Sequence, residues 1–231
     1  MLRSKKLFVA TSMALLFLAA RAASAADDKD RVLRRLDAAA ASFHSTSAEF
    51  QFDSYQTDPI PDHELQKGIV YYERKAGSFQ MAAHIKETNG KATPKMYVYS
   101  DGKLRLVEPM INQVTTIAKA GKFESYLMLG FGASGKDLEQ KWEIKYLGSE
   151  TVDNVKTEKL ELIAKDPEVR RIFPRITIWL DLTRGLSLKQ VFDEGQGQSR
   201  VSVYFNIKVN QPLPADAFSF KTDSKTQFVA H

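Results

Sequence analysis

The 231-residue chain is predicted to be mainly β (α+β): a curved antiparallel sheet of about eleven strands accompanied by two helical segments. Three observations predict this. Apolar and polar residues alternate with a period of two over most of the chain beyond residue 45. The alternating stretches are joined by short turn signals, whereas parallel pairing would need crossovers of roughly a dozen residues or more. Only one long stretch has helical periodicity, with Val32, Leu33, Leu36, Ala39, Ala40 and Phe43 on one face between Asp28 and Ser45.

Residues 1–25 precede that helix and read as a secretory signal peptide. Arg3, Lys5 and Lys6 form a positive start, Leu7 to Ala20 an apolar run, and Ala23-Ser24-Ala25 a small-residue cleavage site. The apolar run falls short of the roughly 20 residues needed to span hydrocarbon. Cleavage after Ala25 leaves residues 26–231 as one expected domain. It removes four basic residues and no acidic one, so the formal charge falls from +5 to +1. A nucleic-acid partner then loses its electrostatic warrant. The chain has no Cys, so disulfides, thiolate metal sites and a lipid-modified cysteine are all excluded. The expected product is exported to the periplasm and is not lipid-anchored.

The first strand alternates Ala48, Phe50 and Phe52 with Glu49, Gln51 and Asp53. Further strands are expected at Gln66 to Arg74, Ser78 to Glu87, Lys95 to Ser100, Lys103 to Val107 and Gln113 to Ala118. Asn89-Gly90 and Asp101-Gly102 are the dipeptides of tight hairpins, in which both central residues take positive φ. Alternation stops between Gly121 and Gln140, where Phe123, Tyr126, Leu127 and Leu129 point to a short helix and then a flexible loop. Strands resume at Trp142 to Gly148, Lys156 to Ala164, Arg171 to Leu182, Ser187 to Phe192 and Arg200 to Val209. A sheet this wide curls under its own twist. Its concave face is expected to carry Phe50, Phe52, Val70, Tyr72, Phe79, Met81, Ile176, Ile178 and Leu180. Periodicity alone leaves open whether side chains or a ligand fill the hollow.

Motifs for catalysis are weak. Gly130-Phe131-Gly132-Ala133-Ser134-Gly135-Lys136 matches the first seven positions of a P-loop, but Asp137 stands where the Mg²⁺-binding Ser or Thr belongs, and no βαβ unit surrounds it. His44, His63, His84 and His231 lack metal-ligand spacing, and no nucleophile elbow is present. Neither a cofactor, a metal nor an enzymatic activity is expected.

From Tyr97 onward a family likeness accumulates: Tyr99-Ser100-Asp101-Gly102-Lys103-Leu104, then Glu108-Pro109, then Gln113-Val114-Thr115. Gly68-Ile69-Val70-Tyr71-Tyr72-Glu73-Arg74, Ile176-Thr177-Ile178-Trp179-Leu180-Asp181 and Phe218-Ser219-Phe220 extend it over nearly all of residues 26–231. The chain resembles the LolA family of periplasmic lipoprotein carriers. That resemblance implies an incomplete β-barrel whose helices act as a lid, with Leu33, Leu36 and Phe43 on the lid helix, over a cavity for lipoprotein acyl chains or a related lipid. It also implies a monomer that is loaded by an inner-membrane releasing transporter and unloaded by an outer-membrane acceptor. Arg74 matches the family's lid-latching arginine, although Lys75 follows it where the family has Pro. An envelope module of the same fold that contacts a protein rather than lipid is the alternative.

Overall fold

A computed structural model describes residues 27–75, 78–118 and 120–230. The expected signal peptide and its cleavage site lie outside the described residues. Helix α1 covers residues 27–41. Twelve strands follow, in one sheet with the order β12-β6-β5-β4-β3-β2-β1-β11-β10-β9-β8-β7. The strands of the first wing are β1 (Ser45–Gln56), β2 (Asp62–Lys75), β3 (Ser78–Thr88), β4 (Lys91–Ser100), β5 (Lys103–Glu108) and β6 (Gln113–Ile117). The second wing holds β7 (Trp142–Val152), β8 (Val155–Ala164), β9 (Arg175–Asp181), β10 (Leu186–Gly195) and β11 (Gln198–Val209). Each wing is an antiparallel meander. The seam between them is the pairing of β1 with β11, with Phe50 opposite Tyr204 and Phe52 opposite Ser202. The sheet is not closed into a barrel, as befits an open, curved half-barrel.

The hairpin turns take the predicted conformation: φ is 50° and 73° at Asn89-Gly90, and 52° and 69° at Asp101-Gly102. Three elements depart from expectation. Residues 171 and 172 were expected to open a strand, but they end helix α4 (Pro167–Ile172). Asp166 caps that helix, its Oδ1 accepting from the Glu168 amide at 2.8 Å, and Pro167 occupies the first turn, where no amide is needed. The twelfth strand, β12 (Gln227–Ala230), pairs in parallel with β6. Finally, the segment expected to be a flexible loop is packed. Leu129 and Phe131 are buried, α2 (Glu124–Leu127) precedes them, and α3 (Gly135–Lys141) follows behind a capping box between Ser134 and Asp137.

The glycines of the P-loop look-alike serve this packing. Gly132 has φ +79°, and a Cβ there would meet the Phe43 ring at 2.5 Å. At Gly135 a Cβ would stand 2.3 Å from the Leu33 carbonyl oxygen, so α3 sits directly on the backbone of α1.

The core has two parts on the helix-covered face and one on the other. Under α1, Val32, Leu33 and Leu36 pack with Leu160, Leu162, Ile176, Ile178 and Leu180. Burial of each such side chain contributes about 1.5–3 kcal/mol, against at most about 1 kcal/mol for exposed ion pairs such as Arg31–Asp28, so the apolar stripe holds α1 down. Under α2 and residues 128–134, Phe43, Phe50, Val70, Tyr72, Phe79, Met81, Tyr99 and Phe131 form a second cluster. On the opposite face, Tyr71, Ala82 and Val98 are covered by Leu213, Ala217, Phe218 and Phe220 of the carboxy-terminal segment.

Candidate functional site

Between the two helix-covered clusters the sheet keeps a hollow of about 140 Å³. Phe50 and Phe52 reach it from β1, Val70 and Tyr72 from β2, and Met81 from β3. These are five of the nine side chains expected on the concave face, and their parity brings them together. Phe79 lies alongside, its ring centroid 6.0 Å from that of Tyr72, without lining the space. Ile176, Ile178 and Leu180 were expected in the hollow and do not line it. They are on the same face, but α1 covers them, and they are essentially inaccessible. Of the expected lid residues, Leu33 and Leu36 pack there, whereas Phe43 belongs to the second cluster, against Gly132.

The rest of the lining was missed. Ala83 comes from β3, Tyr126 and Leu127 from α2, Gln190 and Phe192 from β10, Ser202 and Tyr204 from β11. Ser202 and Tyr204 alternate in the pattern of a half-buried strand, but only the β1–β11 pairing puts them opposite Phe52 and Phe50. That long-range pairing leaves no local signal.

One wall of the hollow is polar. The Tyr204 hydroxyl donates to Gln190 Oε1 at 3.2 Å, and Gln190 Nε2 donates to the Leu129 carbonyl at 2.6 Å, tying β10 to the segment that follows α2. Burial pushes the Tyr126 phenol up to about 12, and burial raises Tyr72 and Tyr204 as well. All three therefore remain neutral at physiological pH and act as hydrogen-bonding groups, not bases. No group of three or more His, Cys, Asp or Glu able to hold a metal occurs among the described residues. His63 instead stacks on Tyr55 and pairs with Asp53 at 2.9 Å.

Arg74 closes the roof. Its guanidinium donates to Ala40 O at 3.1 Å, at the end of α1, and to Gly132 O at 2.5 Å. One side chain of β2 thus fastens both the helix and the 128–134 segment over the sheet. Beneath that segment, Phe131 stacks on Tyr72 with centroids 4.2 Å apart and meets Tyr204 edge-on at 4.7 Å.

Neither a family model nor a curated protein matches the chain. Solved structures do match it. MucB superposes with a TM-score of 0.53 and 14% identity, over 88% of this chain and 66% of that one. The fold is shared with MucB. The chain spans about two thirds of MucB's length. An uncharacterized conserved protein from Thermus thermophilus gives the same TM-score at 12% identity, over 87% of this chain and 98% of that one. A LolA superfamily protein from Nitrosomonas europaea also matches, at TM-score 0.42 and 14% identity, over 83% and 97% of the two chains. What this chain has in common with MucB is the path of the backbone.

Proposed function

We propose that the protein is a periplasmic carrier that takes up the acyl chains of lipoproteins, or of a related lipid, and moves them toward the outer membrane without catalysis. The hollow is the observation that carries this reading. Six side chains of β1–β3, Ala83 among them, face a space roofed by a short helix, and Arg74 fastens the end of α1 and the segment that follows that short helix over the sheet. A cavity of about 150 Å³ holds one benzene ring, so the resting hollow accepts only the tip of a chain. Full uptake requires α2 to withdraw from the sheet. Each methylene buried then contributes about 0.8 kcal/mol, enough over a whole chain to compete with a bilayer. Arg74 is the latch in this scheme, and residues 1–25 direct export. An inner-membrane transporter that loads the carrier and an outer-membrane acceptor complete it.

The test is extraction and mass analysis of lipids copurifying with the protein, paired with native mass spectrometry of defined lipopeptides. A bound acylated species is expected for the unmodified chain and none for Phe50→Glu. An unmodified chain that carries and takes up no amphiphile overturns the proposal.

A protein partner is the second reading, favoured by one surface. Met110 and Ile111, in the turn before β6, and Phe228 of the neighbouring edge strand β12 are exposed large apolar side chains. MucB, for its part, has been crystallised with MucA in the Pseudomonas aeruginosa complex. Under this reading Phe228→Asp abolishes capture of an envelope protein while Phe50→Glu leaves it intact.

A further inference from the structure

A second space is larger than the hollow. A space of about 510 Å³ lies on the other side of α2, between that helix, α3, the start of β7 and α4. Tyr126 and Leu127 face the hollow, whereas Glu124, Ser125 and Met128 face this second space, so the short helix is a wall common to both. Met128, Ala133, Leu138, Trp142, Ala164 and Val169 give the second space an apolar lining. Four of these, Leu138, Trp142, Ala164 and Val169, are themselves buried in the core and form a rigid floor.

The charged side chains around it are not equivalent. Glu124 accepts a hydrogen bond from the Tyr99 hydroxyl at 2.5 Å, Asp137 is held in the capping box with Ser134, and Asp166 caps α4. Lys165 donates to the Glu139 carbonyl at 2.6 Å. Lys141, exposed at the end of α3, has no side-chain partner among the described residues. The three carboxylates keep their charge but have oxygens engaged in hydrogen bonds, and Lys141 is the charged side chain of the lining left free to take a ligand head group. Scaled from the space a benzene ring occupies, the volume accommodates a chain of roughly 20 carbons at most.

We infer that this second cavity binds one acyl chain of an anionic single-chain amphiphile, with the carboxylate or phosphate head on Lys141. The inference does not depend on the hollow being a lipid site, because Phe50 and Phe52 do not touch this space. It assigns a role to α4, which builds one wall and which Asp166 and Pro167 introduce between β8 and β9.

Trp142 supplies the readout. The chain has two tryptophans, so in a Trp179→Phe background Trp142 reports alone. Titration with dibrominated stearic acid is expected to quench its emission saturably, below the concentration at which the acid aggregates. Ala164→Leu, which fills the floor, should abolish the quenching, with circular dichroism checking that the fold persists. Phe50→Glu should leave it in place, and failure of lipid uptake in the hollow alone therefore does not touch this site. Lys141→Gln should weaken the acid roughly threefold, the scale of an exposed ion pair, and leave the dibrominated alcohol unchanged. A dibrominated lysophospholipid with a phosphate head distinguishes that source from free fatty acid. Absence of quenching, or quenching that Ala164→Leu leaves intact, overturns the site. Acid and alcohol binding equally, with no effect of Lys141→Gln, overturns the head-group assignment.

Discussion

Lysine at position 74 cannot do what arginine does there, because a single ammonium does not span Ala40 O and Gly132 O as the forked guanidinium does. Arg74→Ala should lower stability by about 1.5–3 kcal/mol, the range for hydrogen bonds to a charged group, and Arg74→Lys by less. Urea midpoints measure this, and faster amide exchange in α1 and residues 128–134 should accompany it. An unchanged midpoint would remove the latch. Two glutamate substitutions on the same sheet face should part company. Phe50→Glu places its carboxyl beside the hollow, where Tyr204 and Gln190 supply polar groups, so the fold is expected to survive and lipid uptake to fail. Ile178→Glu buries a carboxyl beneath α1 with no cavity to receive it, so a loss of roughly 4 kcal/mol or more is expected, seen as a collapsed thermal transition. Parity made all nine concave-face residues legible as a row. It carried no information on which of them a helix would cover, and this is why Phe50 and Ile178 looked alike in the sequence.

At the level of elements, α1 is fastened to β8 by a titratable contact. Glu158 accepts from Tyr146 at 2.7 Å, Ser149 at 2.8 Å and Arg31 of α1 at 3.2 Å. Burial alone would push this carboxyl up, but the three donors together outweigh it and hold the group below the usual carboxylate range. With the folded value depressed, the stabilisation is whole above the ordinary glutamate value of about 4.3 and is lost as pH falls through the folded value. Protection of α1 amides should therefore drop on acidification below about pH 4, and Glu158→Gln should flatten that profile. A profile identical in the two proteins would show that α1 is held by its apolar stripe alone. Eleven strands and the long helix were legible because alternation and turn dipeptides are local. Helix α4 had a local signal too, Asp166-Pro167 ahead of Glu168, but the apolar run beyond it extended the strand reading back to Arg171. Strand β12 had none, since four residues sustain no period and its partner β6 lies more than a hundred residues earlier.

For the molecule as a whole, the sheet needs cover on both faces, and residues 210–226 supply it on the outer one. They lay Leu213, Ala217, Phe218 and Phe220 over Tyr71, Ala82 and Val98, and His84 Nε2 meets Ala217 O at 2.8 Å. Truncation after Val209 should bare that surface and be seen as strong binding of a hydrophobic dye and falling solubility. A truncated chain that stays soluble and dye-silent would mean the segment covers nothing of consequence. The β1–β11 seam has a kinetic corollary. Each meander can zip up from its own turns, whereas Phe50 must find Tyr204 across most of the polypeptide. Substitutions at the seam should slow refolding, and substitutions at Asn89-Gly90 should chiefly speed unfolding, which stopped-flow chevrons distinguish. In a polypeptide made amino terminus first, the edge of β1 must stay bare until β11 appears near the end of the chain, so this is the stretch that most needs a holding chaperone.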